Sequence, residues 1–176
     1  EYAFGQRQNP DFVTLSRSLD SPLPYIHPRG FTPLDAASVL WVGDNQHTWE
    51  EETRGLERAI RLILDSADLG YSIIGSDVGG YHGKGEISPE LYIRWAQFST
   101  FCGLFLNGGH KERRLWLRSQ EELELIREAS WLHTRLVPYM TETLKARRPL
   151  MQRMGSGRYQ NYFCQNILVE TMFSHG

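Results

Sequence analysis

Short apolar runs alternate with helix-period segments along this chain, and that alternation narrows the possible folds more than any other feature. Residues 12–16, 38–42, 71–75 and 101–106 read as strands bounded by polar or glycine-rich stops. After the second run, Leu56, Ile60, Ile63 and Ala67 fall at spacings of three and four and line one helix face. Thr48 and Glu51 spell a capping box ahead of that helix, and Gly70 supplies its C-terminal cap. Ser88-Pro89 opens a second helix, with Leu91, Trp95 and Phe98 as the buried stripe. Ser119 with Glu122 opens a third through Leu123, Ile126 and Ser130. Pro138 is expected to bend or restart it before it runs on toward Ala146. Residues 167–169 read as a last short strand, and the Pro-rich stretch from Ser18 to Asp35 as a long, functional loop. Strands that alternate with helices imply a parallel sheet.

Parallel α/β folds bind ligands at the C-terminal ends of their strands. Here the strands run into Arg17, Asp44, Asp77, and Asn107 with His110. A single polar residue at such a place is commonly a cap or turn former. Four in series point to a site. Asp44 and Asp77 are its carboxylates, and glycoside cleavage uses two carboxyl groups. Spacing alone pairs these two. Arg17 offers a fork of donors for a carboxylate or a sugar hydroxyl. Trp41 and Tyr81 place aromatic faces beside the acids, and an apolar wall raises a carboxyl pKa, as a general acid requires.

Other chemistries find no support. His47, His82 and His133 have no partners at metal-ligand spacing and read as surface or local hydrogen-bonding residues, so neither a metal nor a cofactor is expected. The glycine-rich run 79–85 lacks the Gly-Lys-Ser/Thr ending of a phosphate loop, and there is no Gly-x-Ser-x-Gly elbow. Formal net charge is -2 with no long basic run, which argues against nucleic acid. No stretch approaches the roughly 20 apolar residues of a membrane helix. Cys102 sits in an apolar run, and nothing in the sequence pairs it with Cys164. Aromatics make up 12% of the 176 residues, many beside polar residues and glycines, which suits a surface that stacks on sugar rings.

Three motifs, in order, carry a resemblance. Trp41-Val42-Gly43-Asp44-Asn45 followed by Thr48-Trp49, then Gly75-Ser76-Asp77-Val78-Gly79-Gly80-Tyr81, then Glu90-Leu91-Tyr92-Ile93-Arg94-Trp95 resemble the signatures of glycoside hydrolase family 31, the α-glucosidase and α-xylosidase family. The resemblance implies a retaining mechanism on α-linked carbohydrate in an eight-stranded barrel. It assigns Asp44 as general acid/base and Arg17, in Leu15-Ser16-Arg17-Ser18, as a sugar ligand, with Arg29 the alternative. It makes Asp77 a binding carboxylate rather than a nucleophile, and Trp41 and Tyr81 the walls of the sugar pocket. His110, or Arg113 in its place, stands where the family has a sugar-binding His. The family's nucleophile, an Asp on an earlier strand, falls upstream of Glu1.

Residues 1–176 are thus expected to form the C-terminal half of a TIM-type (β/α) barrel, approximately strands five to eight: about four parallel strands with flanking helices. Four strands cannot close a barrel, and open edges invite pairing. The chain is therefore expected to belong to a larger protein, or to associate with a missing barrel half or with itself, and to be inactive alone. The alternative is a non-catalytic half-barrel that binds carbohydrate or serves in assembly.

Overall fold

The computed structural model describes residues 1–17 and 32–153. A short helix, α1 (Tyr2–Gln8), precedes strand β1 (Leu15–Ser16). Then follow β2 (Val39–Trp41), α2 (Leu56–Asp68), β3 (Ile74–Gly75) and α3 (Pro89–Ser99). Two single 3-10 turns, Lys111–Arg113 and Leu115–Leu117, lead into the long α4 (Gln120–Lys145). The strands form one parallel sheet in the order β1-β2-β3, with Leu15 beside Val39, Leu40 beside Ile74 and Trp41 beside Gly75. Of the about four parallel strands expected, three are paired among the described residues, with α2 between β2 and β3 and α3 after β3, and the architecture is that of a partial (β/α) barrel.

The paired segments are shorter than the apolar runs that announced them. The fourth run is the extreme case. Its first residues are spent closing α3: the Phe101 and Cys102 amides donate back to Phe98 and Ser99 carbonyls at 3.1 Å. Only the remainder lies alongside β3, where the Leu104 amide donates to Ile74, the Val78 amide to Leu106, and Asp77 bridges Leu106 in parallel. A backbone committed to a helix end cannot also make a ladder. The expected strand 167–169 and the body of the Pro-rich loop, Arg29 included, lie outside the described residues.

The helices bury the expected stripes. Leu56, Ile60 and Ile63 of α2 and Leu91, Trp95 and Phe98 of α3 are all at most 5% exposed and join Leu40 and Ile74 in one core. Each such side chain contributes roughly 1.5–3 kcal/mol by leaving water. Trp95 also donates its indole N–H to Ser76 Oγ at 2.9 Å, which anchors α3 beneath the end of β3. Ser88 caps α3 by accepting from the Leu91 amide.

Two local expectations are corrected. The capping box at Thr48 and Glu51 does not form, because α2 starts later, at Leu56, with Gly55 as its N-cap. The Leu56 and Glu57 amides instead donate to the Thr48 and Trp49 carbonyls at 2.9 Å, and Glu51 pairs with Arg58 and Arg61. Backbone carbonyls of the preceding loop have thus taken the role assigned to side chains. Pro138 does not restart the last helix: α4 runs unbroken through it. The Pro removes one N–H from the ladder, and the helix continues for seven residues beyond it to Lys145.

Candidate active site at the strand ends

The register of the sheet sets the site. Arg17, Asp44 and Asp77 follow β1, β2 and β3 and come together at the C-terminal edge. Arg17 Nη1 lies 3.6 Å from Asp44 Oδ2, and its guanidinium sits 5.1 Å from the centre of the Trp41 ring. This stacking orients a cation that the carboxylate also attracts. Gly43 makes the approach possible. Its φ is +95°, and a Cβ there would sit 2.5 Å from Arg17 Nε.

On the other side of Asp44, His82 brings Nε2 to 3.3 Å from the same Oδ2. The Asp44 side chain is 28% exposed, so a ligand can reach it. Trp41 turns its indole N–H to Asp77 Oδ2 at 2.8 Å. Asp77 is buried. That burial pushes its carboxyl above the usual range, and the negative charge of Asp44 adds to the push. The Trp41 hydrogen bond and the charges of Arg113 and His110 pull the other way and do not cancel it.

The loop 78–85 closes the rim. Tyr81, 39% exposed, packs edge-on against His82 with ring centres 4.9 Å apart and stacks obliquely on His110 at 4.6 Å. His110 Nε2 donates to the Tyr81 carbonyl at 3.2 Å. The Tyr81 and His82 amides donate to the Asn45 carbonyl, and the His47 amide donates to the His82 carbonyl. These bonds lock the loop after β3 onto the loop after β2. Gly80, at φ +69°, lets the backbones meet: a Cβ there would press on Asn45 and Gln46.

Beneath the loop, Arg113 is 1% exposed. Its guanidinium donates to the carbonyls of Gly80, Gly79 and His82, the last two at 3.0 Å. His47 donates from Nε2 to the Lys84 carbonyl, which leaves Nδ1 as an acceptor facing Arg113 Nη2 at 3.5 Å.

Six of the residues singled out from the sequence, Arg17, Trp41, Asp44, Asp77, Tyr81 and His110, are found around one strand-end cluster, while Arg29 lies outside the described residues. Asn107 is an exception among the strand ends, since its Oδ1 accepts from the Gly109 amide and shapes a turn. Two residues have more specific places than the sequence reading gave them. His82, read as a surface or local hydrogen-bonding residue, is half exposed and faces Asp44. Arg113 was weighed as a sugar ligand, whereas its guanidinium donates to backbone carbonyls. No cluster of His, Cys, Asp and Glu fit to hold a metal occurs among the described residues.

The model of the glycosyl hydrolases family 31 TIM-barrel domain matches residues 24–143. The chain is 34% identical over 122 residues to a probable glucan 1,3-alpha-glucosidase of Arabidopsis thaliana, covering 66% of this chain and 12% of that protein. It is 32% identical over 145 residues to neutral alpha-glucosidase C of Mus musculus, covering 79% of this chain and 15% of that one. The chain thus spans about an eighth of the length of these relatives. In fold it is similar to a cycloalternan-degrading enzyme from Trueperella pyogenes, with a TM-score of 0.64 at 24% identity over 87% of this chain and 21% of that one. The matched stretch runs from the Pro-rich loop through β2, β3 and α3 into α4 and takes in Trp41, Asp44, Asp77, Tyr81 and His110: the chain belongs to glycoside hydrolase family 31.

Proposed function

We propose that this chain supplies the acid/base side of a retaining α-glycoside hydrolase. The observation that carries the reading is Asp44 itself. It is a reachable carboxylate at a strand end, held at Oδ2 between Arg17 and His82. A retaining glycosidase needs one carboxyl group to protonate the leaving oxygen and then to activate water. Asp44 takes that role. Arg17, braced on Trp41, orients the carboxylate and binds a sugar hydroxyl. Trp41 and Tyr81 wall the ring. Asp77 is tied to Trp41 and buried, so it binds a sugar hydroxyl or holds Trp41 in place rather than attacking carbon. The nucleophile comes from an earlier strand of the same barrel, and this chain corresponds to approximately strands five to eight. By itself it turns nothing over. The names of the relatives favour α-glucosides as substrates.

The test is Asp44→Ala in the complete polypeptide that carries this chain. The kcat/KM for α-glucosides with poor leaving groups should fall by about 10²–10⁴-fold, the usual range for general acid catalysis. Activated aryl α-glucosides need no proton to leave, so their kcat/KM, which reports the first step, should lose much less. Equal loss on both substrates would remove Asp44 from the acid role.

A further inference from the structure

We infer that His82 is a positioning residue for Asp44, holding through Nε2 the carboxylate oxygen that Arg17 holds from the other side. The inference rests on the acid/base reading of Asp44. It adds a residue that neither the sequence motifs nor the pocket walls called for.

Three observations converge on it. The imidazole Nε2 stands 3.3 Å from Asp44 Oδ2, while Arg17 Nη1 stands 3.6 Å from the same oxygen. Both contacts fall on one oxygen, Oδ2. Second, the His82 backbone is fixed against the residue next to Asp44. Its amide donates to the Asn45 carbonyl at 2.9 Å, and Gln46 and His82 form a parallel bridge. Its carbonyl accepts from the His47 amide and from Arg113. Three groups, the Asn45 carbonyl, the His47 amide and the Arg113 guanidinium, thus set the distance between the imidazole and the carboxylate before any substrate arrives. Third, packing does not explain the side chain. It is 47% exposed, and its contacts are the edge of Tyr81 and Asp44. An imidazole held rigidly at its backbone and left half in solvent is suited to orient a partner, not to fill a core.

A carboxylate displaced by a fraction of an ångström transfers its proton poorly, because rate depends steeply on alignment. The His82 contribution should therefore appear in kcat for substrates whose leaving group needs the proton.

The experiment compares two near-isosteric replacements, His82→Gln and His82→Met, in the complete polypeptide. Gln keeps an N–H donor at similar reach and Met has none. On an α-glucoside with a poor leaving group, Met should lower kcat about 10–100-fold with KM within about two-fold, while kcat/KM on aryl glycosides, which reports the first step alone, is largely spared. Gln should stay within about three-fold of the parent. Equal kcat for the Gln and Met variants would overturn the role. So would a Met variant whose only defect is a lower melting temperature. Asp44→Ala, run in parallel, separates the two readings. Leaving-group dependence in that variant with none in His82→Met sinks this inference alone, and its absence from Asp44→Ala sinks the acid/base assignment.

Discussion

Trp41 and Asp77 leave neighbouring strands and meet in a hydrogen bond, the indole N–H donating to Oδ2 across 2.8 Å. The sheet register produces it: Trp41 stands beside Gly75, so the indole reaches over the strand end to the acid two residues on. The bond favours the ionised carboxylate, yet burial and the nearby Asp44 keep the Asp77 carboxyl above the ordinary aspartate range. Asp77 is thus a buried acid whose proton is easier to keep in the folded chain than in the unfolded one.

That difference links stability to pH. A raised carboxyl stabilises the fold fully below its unfolded pKa, and the contribution is lost as pH rises through the folded value. Asp77→Asn keeps an oxygen to accept from Trp41 and never ionises. The variant should therefore gain in urea midpoint relative to the parent as pH rises from acid toward neutral. A constant offset across that range would show that Asp77 ionisation is not linked to folding.

Arg113 predicts a larger effect on stability. It is a buried cation whose guanidinium donates to three carbonyls of the loop that carries Tyr81 and His82 and faces His47 Nδ1 at 3.5 Å. Replacing it by Met takes a donor from three carbonyls, of which the His82 carbonyl keeps the His47 amide and those of Gly79 and Gly80 lose the guanidinium. Such losses cost on the order of 3 kcal/mol in total. Lys should not restore the stability, because a point charge cannot serve three carbonyls in the fork geometry of a guanidinium. Chemical denaturation of the Met and Lys variants checks both statements. A Lys variant as stable as the parent would show that charge alone matters.

The contrast between Arg113 and α2 explains what the sequence could tell. The stripe Leu56, Ile60 and Ile63 was legible because burial follows the helix period, and the period is written in residue types. The strand ends were legible for the same reason, and with them Arg17, Asp44 and Asp77. The start of α2 was not, because the groups that satisfy its first amides are the carbonyls of Thr48 and Trp49, which any residue would supply. Arg113 reaches carbonyls 31 to 34 residues away, and a carbonyl leaves no mark in the sequence. His82 faces Asp44 because two loops are cross-linked through their backbones. Only the glycines at 79, 80 and 83, all at positive φ, hinted that this turn was built to bring chains close.

Gly43 offers a way to disturb Arg17 without touching it. Alanine there must adopt φ near +95° and place a methyl against the Arg17 guanidinium. The backbone strain costs roughly 1–2 kcal/mol. The methyl also drives Arg17 away from Asp44, so kcat/KM of the complete enzyme should fall further than the stability loss explains. Urea midpoint and kcat/KM measured on the same Gly43→Ala sample would check it. A variant that loses stability alone would mean the Arg17–Asp44 contact has no part in catalysis.

Ser119 and Glu122 cap α4 reciprocally. The Glu122 amide donates to Ser119 Oγ at 3.2 Å, and the Ser119 amide donates to Glu122 Oε2 at 3.0 Å. Partial burial pushes the Glu122 carboxyl up, but the two Ser119 bonds and Arg118, whose Nη1 lies 3.1 Å from Oε1, outweigh it and hold the carboxyl below its usual range. A depressed carboxyl stabilises the fold above its unfolded pKa, and the contribution is lost as pH falls through the folded value. Ser119→Ala should cost about 1 kcal/mol at neutral pH. Glu122→Gln can still accept from the Ser119 amide but carries no charge, so it should be less stable than the parent at neutral pH and converge with it in acid. Urea titrations of Glu122→Gln across that range give the answer, and an offset that persists unchanged into acid would place the value of Glu122 in packing rather than in its charge.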